Sequence, residues 1–254
     1  MGSGVLMVAV KVVRLNDVGE EEVTRRKSKI LLREASVWAR LSHKNILMLH
    51  GVTYDFSPLP SFVSLWMSNG SLEHFLGVNR GLSIRRKISI LTQIADGLGY
   101  LHSQHVVHGD LTNTNVLISD DGSPCIADFG LSFMLLEQEI SCTNMIGNVR
   151  WAAPELFAEW TGRAARPTEE SDLYSYGWIM FRVFTGRPPY HWLTSATAVI
   201  ASKIRRQDPF RWDPGTTQLP GICMDLIQSL CSFDPKARPP LRVAQQMLEN
   251  FPGA

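Results

Sequence analysis

No apolar run in this 254-residue chain is long enough to cross a bilayer. The longest stretch free of Asp, Glu, Lys and Arg, from Phe56 to Leu72, is broken by Pro, Ser and Asn. Cysteine is sparse. Cys125, Cys142, Cys223 and Cys231 lack metal-ligand spacing and are too few for a disulfide scaffold. A reducing compartment, hence a cytoplasmic, soluble molecule, is the expectation. No basic stretch precedes the first apolar run, so no signal peptide is expected, and Leu6 stands where a myristoylation site needs Ser or Thr. Charge of either sign is not in excess: 25 Lys and Arg against 24 Asp and Glu give +1. That balance argues against nucleic acid or an anionic membrane as the main partner. The basic runs Arg25–Lys29 and Arg85–Lys87 read as solvated helix faces.

What is present is ordinary for a globular protein, 44% hydrophobic and 19% charged, enough for one large domain or two smaller lobes. Val5 to Val13 is rich in β-branched residues and predicts a strand. From about Arg25 to Leu41, apolar residues recur at helical spacing. Ile46–Thr53 and Ser61–Met67 predict two more strands, and Ser68-Asn69-Gly70-Ser71 breaks the chain. Beyond it, Ile84, Ile88, Leu91, Ile94, Leu98 and Leu101 form one buried stripe of a long helix. Leu173–Phe184 is apolar nearly all round and predicts a central buried helix, and Pro188-Pro189, Pro214-Gly215 and Pro239-Pro240 punctuate the rest. A small strand-rich front and a large helical back make an α+β chain.

The chemistry concentrates in His108-Gly109-Asp110-Leu111-Thr112-Asn113-Thr114-Asn115 and Asp128-Phe129-Gly130. A carboxylate such as Asp110 beside a hydroxyl can accept its proton, and an Asn with a second Asp offers hard oxygens suited to magnesium. Such a set serves phosphoryl transfer, which depends mainly on positioning and charge neutralisation.

These motifs, in this order, resemble a protein kinase catalytic domain, closest to the tyrosine-kinase-like Ser/Thr group. The resemblance implies a bilobal fold, with residues 1–67 as small lobe and hinge and 68–254 as large lobe. It also implies ATP and magnesium as cofactors and a protein hydroxyl as substrate. Lys11, in Val8-Ala9-Val10-Lys11, matches the lysine that holds the ATP phosphates, and Glu34 matches the helix glutamate paired with it. Asp110 matches the catalytic aspartate, Asn115 the magnesium-binding asparagine and Asp128 the metal-binding aspartate. The adenine pocket would be lined by Ala9, Ser64, Leu65, Met67 and Leu117, with Ser64 as a small gatekeeper. Leu49, Trp38, Phe129 and His108 match an internal hydrophobic spine, and His108 is structural in this reading. Glu155, in Ala153-Pro154-Glu155, would pair with Arg238, and Asp172 would anchor the catalytic loop. Taken singly each element is commonplace: a strand, a turn, an exposed helix charge, an N-cap. Their conjunction in one order makes the fold.

Three departures qualify the match. Only Met1 to Leu6 precede the lysine strand, and Gly2-Ser3-Gly4 is a weak imitation of a glycine-rich phosphate loop. The first two strands are absent, so the lysine strand becomes a sheet edge. A fragment of a longer chain is the expected reason, and an impaired kinase, or pseudokinase, acting as a binding or scaffold module is the alternative. Gly109 replaces the arginine that binds an activation-loop phosphate, so phosphorylation at Ser141 or Thr143 is not expected to be the main switch. Thr112 and Asn148 stand where Ser/Thr kinases commonly have lysine and threonine, yet transfer to Ser or Thr remains the reading.

Overall fold

The structure, a computed structural model, describes residues 6–13, 21–129, 149–161, 166–210 and 221–251. Val5, Gly2-Ser3-Gly4, Gly130, Ser141, Cys142, Thr143, Asn148 and Pro214-Gly215 lie outside them.

The front of the chain folds around a three-stranded antiparallel sheet in the order β1 (Val8–Lys11), β3 (Ser61–Leu65), β2 (Leu49–Thr53). Alternation sets the register, with Ala9 opposite Ser64 and Lys11 opposite Phe62. Among the described residues β1 is an edge strand, as expected. It is shorter than the β-branched run suggested. The strand expected from Ile46 begins only at Leu49, because Ile46 instead bridges to Ile126 in the other lobe. Helix α1 spans Glu21–Trp38, four residues earlier at its start than the apolar pattern showed. Glu21 and Glu22 in its first turn favour that start by facing the positive end of the helix dipole. Leu31, Ala35, Leu59 and Phe62 form the small core between α1 and the sheet.

After Ser68 and Asn69 the described residues form six helices: α2 (Leu72–Val78), α3 (Ile84–Ser103), α4 (Glu169–Thr185), α5 (Ala196–Ile204), α6 (Gly221–Leu230) and α7 (Leu241–Glu249). The hairpin β4 (Val116–Ile118) and β5 (Pro124–Ile126) lies across α3, and Pro154–Thr161 forms short 3₁₀ turns. Ser83 caps α3, and its predicted stripe is buried from Ile88 to Leu101, each side chain contributing about 1.5–3 kcal/mol. Ile84 is the exception, exposed at the first helical position. Helix α4 is buried over nearly its whole length, held at its start by a reciprocal Thr168–Ser171 cap and stopped by Gly186 at φ 70°.

Two close approaches position the hairpin. Gly97 of α3 meets the Asn45 carbonyl so closely that an added Cβ would lie 2.7 Å from it. That carbonyl accepts the Ile126 N–H at 2.8 Å, and the Asn45 amide donates to the Pro124 carbonyl at 2.8 Å. The strand leading to Asp128 is thereby fixed against α3. A Gly97→Ala change would push the hairpin away.

Candidate active site

The loop 108–115 leaves α3 and is bolted to the buried start of α4. Asp172, 1% exposed, accepts the N–H of His108 and of Gly109, each at 2.8 Å. His102 of α3 adds a third partner at 2.9 Å. The turn at Gly109 requires φ +74°, backbone that glycine adopts freely. His108 is fully buried; its Nδ1 accepts the Asp110 N–H at 3.2 Å and its Nε2 faces the Ala127 carbonyl at 3.0 Å. A neutral ring protonated on Nε2 satisfies both contacts, so His108 is a strut between loop and hairpin.

The strut brings the polar groups together. The Asn115 amide donates to the Asp110 carbonyl at 2.8 Å and to its carboxylate at 3.1 Å. The Asn115 carbonyl accepts the Ala127 N–H at 2.8 Å, which sets Asn115 beside the segment that carries Asp128. Asp128 sits at φ 63°, left-handed backbone that a short polar side chain tolerates. Phe129, next along, is buried against Trp38 at 5.7 Å and His108 at 6.4 Å between ring centroids, and Trp38 in turn meets Phe62 at 5.8 Å. The Trp38 indole donates to the Leu47 carbonyl at 2.6 Å, and Leu49 packs on the small core. The four spine residues read from the sequence therefore lie along one packed path between the lobes.

One expected contact is not formed. Lys11 Nζ pairs with Asp128 at 2.6 Å rather than with Glu34. A single ammonium has two candidate carboxylates, and Asp128 offers its own at the cleft. Glu34 stays behind, lining a small cavity of about 30 Å³ with Trp38, Phe62 and Phe129. Burial raises the Glu34 pKa above the usual carboxylate value, with Arg33 opposing, which favours the neutral acid there. The Lys11 and Asp128 side chains keep 42% and 33% of their surface exposed, and a pair so open is worth about 0–1 kcal/mol.

Where the sequence places an adenine lining, Ala9 and buried Ser64 face each other across β1 and β3. Met67 and Leu117 pack on one cluster with Leu47, Cys125 and Ala127. The backbone from Leu65 to Met67 is partly engaged. The Trp66 N–H is committed to the Met7 carbonyl and the Met67 carbonyl accepts from Gly70, both at 3.0 Å. The Met67 N–H has no partner among the described residues. Farther down, Arg238 holds Glu155 through its two terminal guanidinium nitrogens at 2.6 and 2.8 Å, the pairing the resemblance implied.

Sequence reasoning missed two supports. Glu73 at the start of α2 takes the Arg182 guanidinium and the Asn113 amide, and its N–H donates to the Asn113 carbonyl at 3.2 Å. His102 buttresses Asp172. No local pattern marks Glu73 or Arg182. His102, one position past the last stripe residue, was the only hint.

Asn115 and Asp128 would suit magnesium, since both present oxygen and the remaining positions of an octahedral ion are ordinarily filled by phosphates and water. Among the described residues there is no cluster of three or more His, Cys, Asp or Glu able to hold a metal unaided.

Comparison with known proteins agrees. The family described as protein tyrosine and serine/threonine kinase matches residues 2–248. The probable serine/threonine-protein kinase roco11 of Dictyostelium discoideum is 31% identical over 97% of this chain, which covers 16% of that protein. The serine/threonine-protein kinase TNNI3K of Mus musculus is 33% identical over 96% of the chain, covering 28% of its length. The serine/threonine/tyrosine-protein kinase HT1 of Arabidopsis thaliana is 30% identical over 96%, covering 60%. The chain thus spans less than two thirds of each.

Proposed function

The chain belongs to the protein tyrosine and serine/threonine kinase family, on its tyrosine-kinase-like side, and from that premise we propose that it moves the γ-phosphate of ATP to Ser or Thr hydroxyls of proteins. The observation that carries the proposal is the loop 108–115. Asp110 and Asn115 are hydrogen-bonded to each other, and the backbone beneath them is fixed by Asp172 and His108. Bound ATP supplies the phosphoryl group, and magnesium neutralises charge on its phosphates. Asp110 would orient the substrate hydroxyl and accept its proton, while Asn115 and Asp128 would hold the metal. Lys11 would leave Asp128 for the α- and β-phosphates, steered by Glu34. Ala9, Ser64, Leu65, Met67 and Leu117 would enclose the adenine. The division into a small lobe over 1–67 and a large lobe over 68–254, and a cytoplasmic location, belong to the same proposal. No helix among the described residues is long and apolar enough to cross a membrane.

A second reading, a pseudokinase serving as a binding or scaffold module, is favoured by one observation: Lys11 occupies Asp128 instead of Glu34. A γ-phosphate transfer assay on generic protein substrates, run on this chain and on an N-terminally longer form, separates the two. Transfer that Asp110→Asn abolishes supports the kinase. No transfer from either form, with a thermal shift on adding magnesium-ATP, supports the binding module.

A further inference from the structure

Helix α5 buries a lysine. Val199 and Lys203 stand one turn apart on its inner face, and Lys203 is 1% exposed. Its ammonium donates to the carbonyls of Val149 at 2.6 Å, Arg150 at 3.1 Å and Ala152. The rings of Phe157, Tyr174 and Tyr190 surround it, with centroids 5.5, 5.1 and 5.0 Å away. Three hydrogens meet three acceptors, with π faces on the remaining sides. Among the described residues Lys203 makes no ion pair; burial is the largest influence and lowers its pKa, Glu155 opposes that shift, and Arg150 and Arg238 add to it.

The contact is reciprocated one residue on. The Arg150 guanidinium donates to the carbonyls of Pro189 at 2.9 Å, Tyr190 at 2.7 Å and Leu193 at 2.6 Å. Two cations thus take six carbonyls and lace the strip 149–152 to α5 and the turn before it. An apolar residue at 203 would fill the same space without the penalty of burying a charge. What lysine adds is direction: it fixes where three of the four carbonyls from Val149 to Ala152 point. The strip runs straight into Ala153-Pro154-Glu155, itself tied to Arg238.

We infer that Lys203 is a positioning residue, whose buried amine holds the backbone of 149–152 in the shape against which a peptide substrate is laid. This rests on the kinase reading and deepens it. At Gly109 the chain lacks a side chain able to draw the segment in through a phosphate, and Lys203 and Arg150 hold its far end from the α5 side instead.

The test is Lys203→Met, which keeps length and apolar bulk but removes the donors. The three carbonyls then find partners only by moving toward water. Hydrogen exchange across 149–153 should speed up by about 10- to 100-fold while α3 and α4 keep their protection. In the transfer assay KM for peptide should rise with KM for ATP unchanged. Unchanged exchange in the folded variant overturns the inference, as does an equal acceleration everywhere, which is what a merely structural role gives. Should the variant not fold, acetic anhydride labelling of the unaltered chain decides. Lys203 should label with the same protection factor as the strip's amides, far more slowly than exposed Lys44. A protection factor different from the strip's sinks the idea. Exchange and labelling need no activity, so an unaltered chain that transfers nothing defeats the kinase reading without touching this result.

Discussion

On the large-lobe side of the cleft, Asp172 is 1% exposed and has three partners on two elements. Where the small lobe reaches across, the Lys11–Asp128 pair is 42% and 33% exposed and rests on one contact. Both are carboxylates meeting nitrogen, yet their energetics differ. Removing one partner from a buried charge costs about 3–5 kcal/mol, whereas an exposed pair is worth about 0–1 kcal/mol. The large-lobe side is built to keep one geometry. The contact across the cleft can exchange partners at little cost, as a lysine must if it is to leave Asp128 for phosphates.

Breaking the rigid side should have the largest effects. Asp110→Asn keeps the loop's shape but removes the base, and kcat should fall by about 10²–10⁴-fold with ATP binding retained. A kcat within a few-fold of the parent would remove the base from Asp110. Asp172→Ala strips the acceptor from the buried His108 N–H and the half-buried Gly109 N–H and should lower the unfolding free energy by about 3–5 kcal/mol, read from urea midpoints. Asp172→Asn, which still accepts hydrogen bonds, should lose less.

The loose side should respond weakly. Asp128→Asn should shift stability by no more than about 1 kcal/mol while removing the magnesium-dependent thermal shift given by ATP. A large stability loss would mean that the two sides are alike after all. The smallest effect belongs to Glu34, whose pKa is raised by burial. A raised folded-state pKa favours the protonated form, so its contribution is full below the unfolded value of 4.5 and is lost as pH climbs through the folded value. Glu34→Gln should therefore gain stability relative to the parent across that window. Saturating magnesium-ATP should cancel the gain if Lys11 then turns to Glu34.

Much of this was legible in the chain itself. The α3 stripe was read residue by residue, failing only at Ile84, where the helix begins outside the core. Glu155–Arg238 and Asp172 were placed correctly because their motifs are short and ordered. The Lys11–Glu34 contact was not, because the choice between two carboxylates is a matter of distance and solvation. Glu73 and Arg182 lie far apart in sequence and carry no pattern. Lys203 left a faint trace, a charge one turn from Val199 on an otherwise apolar helix face.

Sequence alone determined which chemistry this protein could hold. Asp110, Asn115, Asp128 and Lys11 occur in an order that resembles the protein kinase motifs, and that resemblance, not periodicity or turn residues, carries their expected roles. Tertiary structure decided how each group is held: Asp172 buried and fully bonded, Lys11 exposed and movable, Lys203 enclosed by three carbonyls and three rings. Burial sets the local dielectric and which partners are within reach, and both depend on residues from distant parts of the chain meeting in space.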